Sequence, residues 1–152
     1  MSASRFSLDS NLLIYAFDFR DALKQSIAEQ VISRASGRDC MLALQAVGEF
    51  YAVSTRKKIL PRADAGREAL NYLVLFPAFP ATTASHRIAL REAVAGRFSY
   101  WDAVLLASAA EAGCTTLLSE DMADGARLGN ITVRNPFGPK GPSAAAAAAL
   151  AA

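Results

Sequence analysis

Histidine is nearly absent from this chain of 152 residues: His86 is the only one, placed on what reads as an exposed helix face. A nuclease built on two histidines, or a histidine-rich zinc site, is thereby excluded. Cysteine is scarce as well. Cys40 and Cys114 open two different apolar runs and form no disulfide framework. They read as inert core thiols in a reduced, cytoplasmic protein. There is no Walker A or GxGxxG loop, which removes the nucleotide folds that cradle phosphates in glycine-rich turns. No uncharged apolar run reaches the roughly 20 residues that a spanning helix needs. The start, MSASRF before LLIYAF, lacks the pattern of a cleaved leader, and no membrane is expected among the partners. A dominant charge sign is also missing: Lys and Arg number 16 against 14 Asp and Glu, a net charge of +2. That permits a nucleic-acid partner without demanding one.

What the chain has is apolar content, at 53%. This length and composition give one domain with a proper core and a slight apolar surplus that suggests self-association. Short apolar strand candidates at 5–8, 40–44, 79–82, 115–119 and 131–134 alternate with helical periodicity at 11–17, 21–36, 45–56, 64–76, 85–95 and 100–112. Leu23, Ile27, Val31 and Ala35 set the helical spacing of 21–36, and Gly37 stands where a C-terminal glycine would close it. Ser99 reads as an N-cap and Gly113 as a stop for the longest apolar helix. Strands alternating with helices predict an α/β sandwich with a parallel sheet. From Asn135 the chain turns Pro/Gly-rich and then almost all alanine. An isolated alanine segment this short is at best a marginal helix, so 138–152 reads as a tail or linker without function.

In a parallel sheet the functional edge lies at the carboxyl ends of the strands. Asp9 follows the first strand, Glu49 lies one turn into the helix after the second, Asp102 starts the helix leading into the fourth, and Asp121 follows the fourth. Each has an ordinary explanation. Asp9 could cap a helix, Asp102 could answer a helix dipole, and Asp121 could be a solvated turn residue like Glu120 and Asp124 beside it. Glu49 borders an apolar helix face, where an unpaired carboxylate is costly. Jointly, four carboxylates at one edge repel and raise one another's pKa unless a cation neutralises them. A hard divalent ion, Mg²⁺ or Mn²⁺, suits such oxygen ligands and could activate water against a phosphodiester. Ser10 and Ser119 stand next to two of the acids and could support the ligands. Arg56, Lys57, Lys58, Arg62, Arg67, Arg87, Arg91 and Arg97 could track a phosphate backbone, or simply be solvated.

Two other functions share this sheet edge. A phosphotransfer domain of dehalogenase type wants a second Asp two residues after the first, where Asn11 stands, and a receiver wants a Lys after the last core strand, which is missing near Asp121. A non-catalytic module could use the acids to hold an arginine-bearing peptide. Metal titration separates it from an enzyme.

The motifs resemble a known family. LDSNLLIYAFD is similar to the first motif of PIN-domain proteins, QAVGEFYAV to the second, and FSYWDAVLLASAAEAGCTTLLSEDMADG to the third and fourth run together, with VRNPF similar to a subset. The match spans 5–137 and implies a PIN-like nuclease domain over 1–137. The implied fold is a three-layer α/β/α sandwich with a central, mostly parallel sheet of four to five short strands. Stand-alone domains of this size resemble VapC-type toxins of type II toxin–antitoxin pairs. That resemblance implies a Mg²⁺- or Mn²⁺-dependent endoribonuclease, leaving a 5′-phosphate and a 3′-hydroxyl. It also implies a homodimer and a cognate antitoxin whose C-terminal segment blocks the site. Asp9, Glu49, Asp102 and Asp121 match the family's acidic quartet, with Asn11 in the Ser/Thr-Asn position of the first motif. Ser10 stands where Thr is frequent, and Met122-Ala123-Asp124 where Asp-Phe often follows the fourth acid.

Overall fold

Strand β1 (Phe6–Leu8) is buried along its whole length, as a strand covered on both faces must be. It forms the middle of the sheet. The computed structural model describes residues 4–151. After β1 come α1 (Ser10–Tyr15), α2 (Ala22–Ala35), β2 (Cys40–Ala43), α3 (Leu44–Arg56), α4 (Arg62–Leu75), β3 (Ala78–Phe79), α5 (Thr83–Val94), α6 (Tyr100–Glu111), β4 (Thr116–Leu118), β5 (Arg127–Leu128), β6 (Ile131–Arg134) and α7 (Ala144–Leu150). The strand order is β3-β2-β1-β4-β6-β5. Phe6 pairs with Cys40 on one side and Thr116 on the other, in parallel, and only β5 runs antiparallel, against β6. The α/β sheet flanked by helices is the expected architecture. Its six strands exceed the expected four to five because β5 is a two-residue pairing with no period to read.

Steps from β1 to β2 and β2 to β3 move one way across the sheet, and the later step to β4 moves back past β1. Parallel crossovers are right-handed, so helices of the first steps and of the return step cover opposite faces. The packing agrees. Helix α1 contacts α2 and α3, and α3 contacts α4, whereas α5 pairs with α6, and α6 lies against β2, β5 and β6.

Helix α6 is the stiff member. Ser99 caps it, its hydroxyl accepting from the Asp102 N–H (3.3 Å), and Ala103 to Ala109 are all buried. Gly113 ends it at φ +94, a conformation that costs a residue with a Cβ. Two other expectations are corrected. Gly37 is not among the left-handed glycines, and α2 ends at Ser36 instead, in right-handed conformation. Leu23 is 45% exposed, and Ala28 and Ile32 join Ile27, Val31 and Ala35 on the buried face.

The alanine segment also departs from expectation. It forms α7, capped by Ser143, whose hydroxyl accepts from the Ala146 N–H at 3.1 Å and donates to the Asn135 carbonyl at 2.6 Å. Ala146 and Leu150 are fully buried, α7 packs on α2, and Arg38 Nε donates to the Leu150 carbonyl (2.9 Å). A helix too short to stand alone is stabilised by burying one face. Deleting 144–152 removes a buried leucine, worth about 2 kcal/mol. The melting temperature is expected to drop by about 5 °C. An unchanged melt would show that α7 adds nothing to the fold's stability.

Candidate active site

Strands β1 and β4 are neighbours, and the direction of winding reverses between them. A crevice opens at the carboxyl ends of strands at such a point. Asp9 leaves β1 and Asp121 follows β4 at that opening. The Asp9 N–H still bonds to the Leu118 carbonyl (2.9 Å), so the residue is fixed by the sheet itself.

Asp9 is 4% exposed. One carboxylate oxygen caps α1, accepting from the Ser10 N–H at 2.7 Å, and the other accepts from the Ser119 hydroxyl at 2.7 Å. Asp9 therefore caps α1 with one oxygen and keeps the other on Ser119. Burial raises its pKa, the bonds from Ser119 and Ser10 partly oppose this, and the charges of Glu49 and Asp121 add to it. The result is a value of about 6 against an ordinary 3.8.

Ser119 is the hub of the buried layer. Besides donating to Asp9, its oxygen accepts from Asn11 Nδ2 and from the Asp121 N–H, both at 3.2 Å. One hydroxyl thus links the first acid, the fourth acid and the asparagine between them. Asn11 Oδ1 is buried without a hydrogen-bond partner.

Glu49 is held from two directions. Ser10 donates its hydroxyl to Oε2 (2.8 Å), and Gln45, one turn earlier on α3, donates Nε2 to Oε1 (3.1 Å). The same Gln45 amide reaches the Trp101 carbonyl (3.2 Å), tying α3 to the start of α6. The sequence reading missed Gln45, although its position four residues before Glu49 is the spacing at which helical side chains meet.

Glu49 and Asp121 are both near enough for their charges to act on Asp9. Asp102 stands in the first turn of α6, half-buried, next to the residue whose carbonyl Gln45 holds, and, like Asp9, it does not itself line the groove between α1 and α3. Two neighbouring expectations also change. Glu120 is not a solvated turn residue. Its side chain is 17% exposed, accepts from the Tyr15 hydroxyl (2.5 Å) and pairs with Lys24 (2.7 Å), so it anchors the turn that carries Asp121. His86 is partly buried and bonds to the Tyr100 hydroxyl.

Beside Ser10 and Asn11, the residues that follow Asp9, lies a groove of about 430 Å³ between α1 and α3. Ser10, Asn11, Glu49 and Asp121 line one end, Ile14, Tyr15 and Val53 the middle, and Asp18, Arg20, Arg56 and Lys57 the other. Among the described residues, no three Asp, Glu, His or Cys side chains converge closely enough to cage one ion. The donors nevertheless fit a hydrated Mg²⁺, which keeps several waters and takes only one or two carboxylates. They are all hard oxygens, they carry unneutralised like charges, and the orphaned Asn11 oxygen can accept from a water of the ion's shell.

The PIN domain family model matches residues 7–123. No curated protein matches the chain. Several solved structures share its fold. The VapC20 toxin of Mycobacterium tuberculosis, a sarcin–ricin loop cleaving toxin, aligns with TM-score 0.61 and 16% identity over 76% of this chain and 91% of that one. VapBC2 of Rickettsia felis, bound to a promoter DNA fragment, aligns at 0.60 and 12% over 86% and 98%. DNA-bound VapBC of Salmonella typhimurium aligns at 0.62 and 17% over 87% and 98%.

Proposed function

We propose, because this chain belongs to the PIN domain family, that it is the toxin ribonuclease of a type II toxin–antitoxin pair, an endoribonuclease that hydrolyses RNA phosphodiesters with Mg²⁺, Mn²⁺ substituting. The observation that carries this reading is Asp9, a buried carboxyl at the β1/β4 reversal on which the charges of Glu49 and Asp121 act, both of them lining the groove beside it. The toxins and toxin–antitoxin complexes that share the fold support it.

Asp9, Asp121 and Asp102 hold the ion, directly or through water, with Ser10, Asn11 and Ser119 supporting them. When bound, the ion supplies Lewis-acid polarisation of the phosphoryl oxygen and a more acidic water. The chain's own groups do the positioning. Ser119 and the Ser10 N–H fix both oxygens of Asp9. Ser10 and Gln45 fix both oxygens of Glu49, leaving lone pairs to accept the proton of an attacking water. In this reading residues 1–137 are the nuclease domain, and the chain works as a homodimer in the reducing cytoplasm, in keeping with its two free, buried cysteines. A cognate antitoxin covers the groove. Among the described residues no helix is long and apolar enough to cross a membrane.

One observation favours a second reading, a non-catalytic binding module: among the described residues no three acids converge. Metal decides between them. Antitoxin-free protein is expected to cut cellular RNA in millimolar Mg²⁺, to stop on chelation and to resume with Mn²⁺. Protein that binds neither ion by calorimetry and leaves RNA intact is the module.

A further inference from the structure

The groove has two ends of opposite charge, and only the acidic end is used by the chemistry above. Glu49, Val53 and Arg56 follow at helical spacing along α3, so one face of that helix runs from the acid to the cation. Two turns separate Glu49 from Arg56, roughly 10 Å at 1.5 Å per residue. Across the groove, Ser10, Asn11, Ile14, Tyr15 and Asp18 form the matching face of α1 and its extension.

The far end is built with some rigidity. Asp18 is buried and takes Arg20 through Nε and Nη2, both at 2.8 Å. That uses one edge of the guanidinium and leaves the Nη1 donors unspent. Lys57 is close enough for its charge, after the Arg20 hydrogen bonds, to help hold the Asp18 carboxyl below its ordinary range. Among the described residues, neither Arg56 nor Lys57 forms a salt bridge. A helix C-terminus favours cations, but that would be met on any face, and these two line the groove. The chain then turns sharply at Lys58, in left-handed conformation at φ 57, and the Ile59 and Leu60 N–H groups return to the Ser54 carbonyl at 2.9 and 3.3 Å. A lysine held there costs about 1 kcal/mol or more. The tight return sets Arg56 and Lys57 at a fixed helix end.

We infer that Arg20, Arg56 and Lys57 form a phosphate subsite of the groove, which binds the backbone of single-stranded RNA a few nucleotides from the bond that is cut. This rests on the ribonuclease reading. Between the two ends lie Ile14, Tyr15 and Val53, and the charge of Glu120, which also lines the groove and bonds to Tyr15, is met by Lys24 at 2.7 Å. Planar guanidinium donors braced on a carboxylate suit a phosphate oxygen. An acidic site that repels the substrate needs such a cationic hold nearby.

The test compares two double variants of equal charge loss. Arg56→Gln/Lys57→Gln removes cations from the groove, and Arg87→Gln/Arg91→Gln removes exposed cations from α5, outside it. Cleavage of a single-stranded RNA of about a dozen nucleotides is followed over a range of salt. The groove variant is expected to raise KM about tenfold, with kcat moving less, and to flatten the salt slope by about one unit. The α5 variant is expected to shift KM by less than twofold. Arg56→Lys/Lys57→Arg, which keeps the charge, is expected to restore most of the KM, and it decides the matter if the Gln variant folds poorly. If the parent cuts RNA and the two Gln variants lose equally, or neither loses, general charge explains the effect and the subsite is overturned. A parent that cuts no RNA overturns the ribonuclease reading, and the subsite with it.

Discussion

Asp9→Asn is expected to lower RNA cleavage by more than about a hundredfold and, in the absence of metal, to make the protein more stable at neutral pH. The loss follows from removing a carboxylate from the acidic site, since disturbing even the supporting shell of a metal site costs about 10- to 100-fold. The gain follows from burial. Asp9 titrates at about 6 in the folded protein and near 3.8 when exposed. Between those values the native state holds a proton that the unfolded chain has lost, so stability falls as pH rises through the window. Above pH 7 the deficit is complete, at about 3 kcal/mol. Asparagine carries no charge and escapes it, apart from about 1 kcal/mol for turning an amide donor towards a hydroxyl already receiving two N–H groups. The stability difference between variant and parent should therefore widen from pH 4 to pH 7. It should narrow again when Mg²⁺ is added, because the ion binds the native parent only. Denaturant unfolding at several pH values measures both parts. A variant that cuts RNA at the parental rate, or that is less stable than metal-free parent at pH 7.5, contradicts the assignment.

The acids that cluster are separated by long stretches of sequence, yet they were legible because strand ends mark where a parallel sheet keeps its ligands. Asp9 and Asp121 needed only that β1 and β4 be neighbours. Helix α6 was legible for a simpler reason. A run as apolar as Ala103 to Ala109 between a serine cap and a glycine stop has few other fates. What the sequence could not show was decided by contact between distant residues. Glu120 looks like any turn acid until Tyr15 and Lys24 arrive beside it from α1 and α2. The alanine run is a poor helix alone, and only the α2 face and Arg38 make it a good one. β5 has two residues, too few to display alternation.

Asp102 shows the limit from the other side. Its place in the sequence resembles that of the family's third acid, and its local structure, the first turn of a capped helix, is as the sequence predicted. Whether its carboxylate joins the others is a matter of side-chain reach. In this structure the link to Glu49 runs instead through Gln45 and the Trp101 carbonyl. A site of mutually repelling acids has reason to stay open until a cation draws them together.

Ser119→Ala tests the buried layer beneath that site, and its effect is expected to be large for a side chain that touches no substrate. The hydroxyl gives Asp9 a hydrogen bond and receives those of Asn11 and the Asp121 backbone. Without it, the Asn11 amide loses its acceptor in the interior, at a cost of about 1–3 kcal/mol, and the Asp121 N–H loses the same acceptor in a half-buried bond. Asp9 loses one of the two bonds that oppose the effect of burial, so its pKa rises further. Cleavage is expected to fall about 10- to 100-fold, and at subsaturating Mg²⁺ the acid limb of the pH–rate profile should move to higher pH. A fold that is merely loosened would lower the whole profile and leave its limb in place. Combination with Asp9→Asn separates the two accounts again. If Ser119 acts by holding Asp9, its removal costs little activity once Asp9 has gone, because groups that act as a unit are not additive. Full additivity of the two losses, together with an unmoved acid limb, would reduce Ser119 to a packing residue and leave Asp9 to be held by the Ser10 N–H and the end of β1.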